Sequence, residues 1–256
     1  MKIGFIGCGN MGGALLQAVV QVTDPSLIYI CDTDENKTQH FEATFGVMAV
    51  DLEYLCENAE MIFLGIKPVG IPALLETIKP YLANNDNDLV IISMAAGVTI
   101  QSITNIIGDI PVIRIMPNLP VAVGAGTILY TAEGNAKAYE DDFKYYLTAA
   151  GCLCAIPESQ MNAGCALSGC GPAYGFMFIE AMADAGVSAG LSRVTAQTLA
   201  AQTLLGAAQM VLATGQHPGE LKDAVCSPGG TTIKGVLSLE QNGFRSAVAQ
   251  AVICNA

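Results

Sequence analysis

Short runs of apolar, mostly β-branched residues recur along the first part of the chain. They are separated by segments long enough for a helix and read KIGFI, LIYIC, MIFLGI, LVIIS and VIRIM. Continuous apolar runs that alternate with helices are typical of a parallel sheet covered on both faces. The pattern therefore predicts a doubly wound α/β domain of the Rossmann type over residues 1–156.

The remaining residues, 157–256, contain no such runs and have a helical composition. One stretch, VTAQTLAAQTLLGAAQMVLATG, carries small or apolar residues on every side. A helix of this kind must be buried all round, and a region of about 100 residues has too little interior to surround it. Interrupting Gln, Thr and Pro residues argue against a membrane span. We therefore predict an all-helical domain that buries its helices in an obligate homodimer.

A glycine-rich loop joins the first predicted strand to the first predicted helix. Gly7, Gly9 and Gly12 have the GxGxxG spacing, in which the glycines allow a tight turn, close backbone approach to a pyrophosphate and helix–strand packing. The context of strand, loop and helix makes the motif specific for a dinucleotide rather than for packing alone. The predicted cofactor contacts in this loop are Gly7, Cys8, Gly9, Asn10, Met11 and Gly12.

An acidic residue, Asp32, ends the second predicted strand, 20 residues after Gly12. A carboxylate in this place accepts hydrogen bonds from an adenosine ribose and repels a 2′-phosphate, which favours NADH over NADPH. The alternative is that Asp32 caps the following helix, a role that Asp34 could fill equally well.

Loops after the next three predicted strands supply further candidates. In open α/β sheets, ligands lie beyond the carboxyl ends of the strands. By position, the cofactor candidates in these loops are Lys67, Pro68, Ala95, Ala96, Gly97 and Asn118. A solvated lysine or a plain turn is the alternative at each position.

Charge and composition exclude several other classes of function. The net charge of −12, with 11 Lys and Arg residues, leaves no basic surface for nucleic acid or an anionic membrane. Nine cysteines are scattered without CxxC spacing, and the two histidines lie far apart, so neither a metal site nor a Ser/His/Asp triad is expected. The first apolar run breaks at glycines too early for a signal peptide, which predicts a cytoplasmic chain.

A second glycine-containing turn, CSPGGTTIKG, precedes a helix near the end of the chain. Pro228 fixes the turn, Gly229 and Gly230 leave backbone N–H groups unshielded, and Thr231 and Thr232 add hydroxyls. The arrangement suits one small anion such as a substrate carboxylate. An ordinary helix start, capped by Ser or Thr, is the alternative.

Eight segments in order resemble the pyrroline-5-carboxylate reductase family. They are GFIGCGNMG, GIKP, SMAAGV, RIMPNLP, LSGCGPAY, FIEAMADAGV, HPGELKD and CSPGGTTIKG. The resemblance covers nearly the whole chain, and its last four segments are more specific than the nucleotide loop. It implies reduction of 1-pyrroline-5-carboxylate to L-proline with NADPH or NADH, the last step of proline biosynthesis, in a dimer or an assembly of dimers.

The resemblance also implies a substrate site. The backbone at Gly230, Thr231 and Thr232 would hold the substrate carboxylate, with the Thr232 hydroxyl near the ring nitrogen. Glu158 matches a position that contacts substrate in the family, although a solvated carboxylate at a helix start is its alternative. Ser168 is expected to shape the helix junction rather than to react.

Two other functions compete with this interpretation. A β-hydroxyacid dehydrogenase shares both predicted domains but uses a catalytic lysine on an early helix of the second, and no lysine occurs between Lys144 and Lys222. A non-catalytic dinucleotide sensor would bind the cofactor but would have no use for the second glycine turn.

Overall fold

The computed structural model describes residues 1–256, which form two compact units, Met1–Gly169 and Cys170–Ala256. The first unit contains eight strands: β1 (Ile3–Ile6), β2 (Ile28–Cys31), β3 (Met48–Ala49), β4 (Met61–Leu64), β5 (Val90–Ser93), β6 (Val112–Met116), β7 (Gly126–Ala132) and β8 (Gly151–Ala155). They form one sheet in the order β3-β2-β1-β4-β5-β6-β7-β8. Every neighbouring pair is parallel except β6 and β7, which are antiparallel.

Seven α-helices accompany this sheet in the first unit. They are α1 (Asn10–Val20), α2 (Glu35–Phe45), α3 (Leu52–Asn58), α4 (Ile71–Leu82), α5 (Ile100–Ile107), α6 (Glu140–Tyr146) and α7 (Met161–Gly164). The side chains of Asp34, Asp51 and Thr99 cap α2, α3 and α5 by accepting a backbone N–H of the first turn.

The apolar strands are buried on both faces because alternate residues enter different cores. In β1, Ile3 and Phe5 join a cluster with Leu15 and Leu16 of α1, whereas Ile6 joins a cluster that contains residues of α3, α4 and α5. Phe5 stacks on Phe63 of β4 with ring centroids 4.6 Å apart. The predicted doubly wound sheet is confirmed.

Three strands were not predicted from the sequence. β3 has two residues, β7 begins with a glycine, and β8 is an edge strand that exposes Cys152 and Cys154. β3 and β8 lack the buried, β-branched run that marks the central strands, whereas β7 is mostly buried but mixes its apolar residues with glycine and threonine.

Residues 157–169 pack within the first unit. Met161 of α7 is buried against Met116 of β6 and Leu129 of β7, and a π-helical turn, Cys165–Gly169, follows. The domain boundary expected after residue 156 stays a prediction. In the structure, residues 157–169, which follow this boundary, pack with the sheet.

The second unit is entirely helical, as predicted. Its helices are α8 (Gly171–Ser188), α9 (Arg193–Thr214), α10 (Pro218–Ala224), α11 (Thr231–Gln241) and α12 (Phe244–Ile253). α8 and α9 pack closely through small side chains, with Ala183, Ala196 and Ala200 as the only buried residues of this unit. No helix of the chain combines the length and apolarity that crossing a bilayer requires.

Much of the apolar surface of α8 and α9 is exposed in the single chain. Val194 and Leu212 are 76% and 84% exposed, and Phe176, Met177, Leu199, Leu205 and Met210 are each at least half exposed. A soluble monomer rarely leaves such a surface uncovered.

Candidate active site

The loop between β1 and α1 and the first turn of α1 each require a glycine, the loop for its backbone conformation and the helix for lack of space. Gly7 has a φ of +98°, and a Cβ at Gly12 would collide with the carbonyl oxygen of Gly7. Gly9, by contrast, has open space where a Cβ would lie, and it is the N-cap of α1 without any side-chain cap. The N-terminus of α1 is therefore accessible to an anion, as a pyrophosphate site requires.

The Cys8 thiol in this loop is buried. Burial raises the pKa of Cys8 to about 12, and the negative charge of Asp32 acts in the same direction. The thiol is therefore neutral at physiological pH, so it adds no charge that would repel a phosphate.

Asp32 fixes the loop rather than a helix end. The backbone N–H groups of Cys8 and Asp34 donate to its two carboxylate oxygens at 2.7 and 2.9 Å, and Lys37 lies 3.5 Å from Oδ1. Burial alone would raise the pKa of Asp32, but these two hydrogen bonds and the Lys37 ammonium together lower it. The cap of α2 is Asp34, which accepts from Asn36 N. The side chain of Asp32 is only 9% exposed, so it forms a fixed negative charge at the carboxyl end of β2.

The loops after β4 and β5 lie at the same edge of the sheet, because β1, β4 and β5 are parallel neighbours. Lys67, Pro68, Ala96 and Gly97 are exposed there, whereas Ala95 is buried. The glycine loop touches the residue just before this region, since a Cβ at Gly7 would come within 2.7 Å of the carbonyl oxygen of Gly65. The cofactor contacts predicted in these loops stay predictions.

The Asn118 side chain already makes hydrogen bonds at both ends of its amide. Nδ2 donates to the carbonyl oxygen of Ser168 at 2.9 Å, and Oδ1 accepts from the Thr127 N–H at 2.8 Å. The amide thereby ties the end of β6 to the start of β7 and to the last turn of the first unit. The Ser168 hydroxyl donates back to the carbonyl of Gly164. A cofactor role of Asn118 stays a prediction.

Glu158 is partly buried and forms an ion pair. Its Oε1 accepts from Nη1 of Arg114 at 2.9 Å and from the backbone N–H of Ile100 at 2.8 Å. Arg114 is not among the residues predicted for the site, although a single arginine inside the apolar run VIRIM is a signal visible in the sequence. The substrate contact expected of Glu158 stays a prediction.

The second glycine turn forms the start of α11. Gly229 has a φ of +71°, the Gly230 N–H donates to the carbonyl of Ser227 at 3.0 Å, and Gly230 is the N-cap of the helix. No side chain caps this helix, so the alternative of a Ser or Thr cap does not apply. Thr231 and Thr232 are exposed in its first turn.

Two family models match the chain. Residues 158–255 match the model described as pyrroline-5-carboxylate reductase dimerisation, and residues 2–97 match the model described as NADP oxidoreductase, coenzyme F420-dependent. Pyrroline-5-carboxylate reductase from Escherichia coli is 41% identical over 259 residues, which covers 98% of this chain and 94% of the relative. The chain belongs to the pyrroline-5-carboxylate reductase family.

Solved structures agree with this membership. A pyrroline-5-carboxylate reductase from Coxiella burnetii superposes with a TM-score of 0.90 at 33% identity and covers 99% of this chain and 95% of its own. A pyrroline carboxylate reductase from Plasmodium falciparum, solved with NADP bound, gives 0.85 at 32% identity over 100% and 95%. The predicted fold class, reductase activity and dependence on NAD(P)H are confirmed.

Proposed function

We propose that this reductase holds the cofactor pyrophosphate at the N-terminus of α1 and the substrate carboxylate at the N-terminus of α11. One shared observation carries the proposal. Both helices begin at a glycine N-cap and neither has a side-chain cap. The first backbone N–H groups of such helices lack an intrahelical partner and favour an anion.

The α11 site suits a single carboxylate. A carboxylate at a helix N-terminus gains typically about 0.3–1 kcal/mol from the dipole, and about 2 when partly buried. The backbone at Gly230, Thr231 and Thr232 would thus orient a small ring without catalysing by itself.

The reaction requires little further chemistry from the side chains. When bound, the reduced nicotinamide would supply the hydride that adds to the imine carbon of the protonated pyrroline, C2 of the ring, and so gives proline. Thr232 would place its hydroxyl beside the ring nitrogen. Because a threonine hydroxyl is a weak acid, its role is to orient the iminium by hydrogen bonding, with the proton supplied by solvent or through this hydroxyl.

The activity assay separates this function from its rivals. With 1-pyrroline-5-carboxylate, the oxidation of NADH or NADPH is followed as a loss of absorbance. With a β-hydroxyacid, the reaction is run in the reverse direction, and the reduction of NAD+ or NADP+ is followed as a gain of absorbance. Turnover is expected with 1-pyrroline-5-carboxylate, and none is expected with the β-hydroxyacid. A sensor would give neither signal, and a hydroxyacid dehydrogenase would respond only to the second substrate.

The buried carboxylate of Asp32 supports a preference for NADH, whereas the Plasmodium relative was solved with NADP bound. Asp32→Ser should raise the ratio of kcat/KM for NADPH to that for NADH by about tenfold, because it removes a charge that repels a 2′-phosphate. Asp34→Ser is the matched control, since serine also caps a helix and the contact with Cys8 N remains. An unaltered ratio in Asp32→Ser would limit Asp32 to fixing the loop.

We further propose that the second unit forms an obligate homodimer and that such dimers can associate into larger assemblies. The exposed apolar surface of α8 and α9 and the match of residues 158–255 to a dimerisation model support it. The odd number of cysteines, scattered without the spacing of a disulfide framework, suits a reducing compartment and supports a cytoplasmic location.

Dilution tests the dimer. At nanomolar concentration the chain should lose activity and helicity together, because the second unit cannot bury its apolar surface alone. Light scattering and activity measured across a dilution series check this expectation. A stable, active monomer would contradict it.

A further inference from the structure

Arg114 is an unusual residue for an interior strand of a sheet covered on both faces. Its side chain is 4% exposed. In the register of the sheet it lies between Ser93 of β5 and Thr131 of β7, which are also buried. Arginine stays charged in proteins, so its burial must be offset by hydrogen bonds. Its Nε has no partner. An apolar residue would fill this position at lower cost, which indicates a role other than packing.

The partner of Arg114 is a carboxylate that joins three parts of the first unit. Oε1 of Glu158 accepts from Arg114 on β6 and from the N–H of Ile100, the first residue of α5. Glu158 itself begins the 3-10 turn that follows β8. A carboxylate at the start of α5 is also favoured by the dipole of that helix. One oxygen atom thus sets the relative positions of β6, α5 and the segment from residue 157.

The segment fixed at Ile100 is the end of a loop that carries cofactor candidates. Residues 94–99 run from the end of β5 to α5 and include Ala95, Ala96 and Gly97. Arg114 and Glu158 come from two other elements, and Glu158 contacts the chain at Ile100, just after this loop. Neither the glycine loop of residues 7–12 nor Asp32 takes part in this network.

We propose that Arg114 is a positioning residue for hydride transfer, which acts by holding Glu158 against the N-terminus of α5 and so fixing the loop 94–99. The proposal rests on the proposed cofactor role of that loop. A reacting pair misplaced by about 1 Å loses roughly a hundredfold in rate. Loss of the anchor therefore lowers kcat, while dinucleotide binding at the glycine loop persists.

The test compares Arg114→Met with the double variant Arg114→Met/Glu158→Leu in the full-length chain. The single variant leaves a partly buried carboxylate without its cation, whereas the double variant replaces the whole pair with apolar side chains. Both should lose about tenfold or more in kcat, with the cofactor Kd and the KM for the pyrroline within about threefold of wild type. The double variant should recover the melting temperature but not kcat.

An isotope effect reports on positioning directly. With NADH deuterated at the transferred position, the effect on kcat should increase in both variants, because hydride transfer becomes slower than product release. Arg114→Lys, which retains the charge, should recover part of the lost kcat. The double variant Lys144→Met/Glu140→Gln removes an ion pair elsewhere in the first unit and serves as the control with wild-type kinetics.

Three results would overturn the proposal. One is recovery of kcat together with stability in the double variant, which would make the pair purely structural. Another is a raised KM for the pyrroline at unchanged kcat, which would make Glu158 a direct substrate contact. The third is an unchanged isotope effect. Absence of turnover in the wild-type chain would instead contradict the proposed function.

Discussion

Gly12→Ala is expected to lower the affinity for NADH and NADPH by about a hundredfold, equivalent to about 2.7 kcal/mol. The added Cβ would collide with the carbonyl oxygen of Gly7. That oxygen belongs to backbone and cannot rotate away as a side chain could, and Gly7 is itself held against Gly65. The loop must therefore open. Titration of NADH fluorescence measures the affinity, and thermal unfolding measures the accompanying loss of stability.

Gly9→Ala provides the contrast. A Cβ at Gly9 has no neighbour within 4 Å, and its φ of −71° suits any residue. This variant should keep the wild-type melting temperature and lose affinity only because the methyl group approaches the pyrophosphate. If Gly12→Ala bound both dinucleotides normally, the loop would not be the cofactor site.

Thr232→Ala should lower kcat/KM for 1-pyrroline-5-carboxylate by roughly ten- to a hundredfold, the scale of one lost hydrogen bond to a charged group. No hydrogen bond within the folded chain uses the Thr232 hydroxyl, and the residue is exposed, so stability should not change. Cofactor affinity should not change either, because Thr232 is not one of the predicted cofactor contacts. Steady-state kinetics with the pyrroline varied at saturating NADH measure the effect.

Thr232→Ser retains the hydroxyl and should stay within about threefold of wild type. Loss of activity in both variants would point to the β-branched shape of threonine rather than to its hydrogen bond. Unchanged kinetics in Thr232→Ala would remove the hydroxyl from the substrate site.

The strands that the sequence predicts are those with fully buried apolar runs. β1, β2, β4, β5 and β6 all lie inside the predicted runs. β7 and β8 escape prediction for physical reasons. β8 has one unpaired edge and exposed cysteines, so it lacks the continuous buried run of a central strand. β7 is buried from Ile128 to Thr131, but it runs antiparallel to β6 and only a 3-10 turn lies between the two strands, so the alternation of apolar runs with helices does not reveal it.

Within the candidate site, features that are local in sequence are predictable, whereas contacts between distant residues are not. The GxGxxG loop is local in sequence, so its spacing alone predicts a turn that only glycine can form. The ion pair of Arg114 and Glu158 joins residues 44 positions apart, and the bond from Cys8 to Asp32 spans 24. Such contacts depend on which strands become neighbours and on register, which residue patterns along the chain do not specify.

The three alanines that form the whole interior of the second unit have a consequence for biosynthesis. The sheet half can fold as soon as it leaves the ribosome, whereas in the proposed obligate dimer the helical half folds only when it meets another newly made chain. The rate of this assembly then depends on the square of the concentration of newly made chains. At low expression, the yield of active enzyme rises more steeply than the number of polypeptides made.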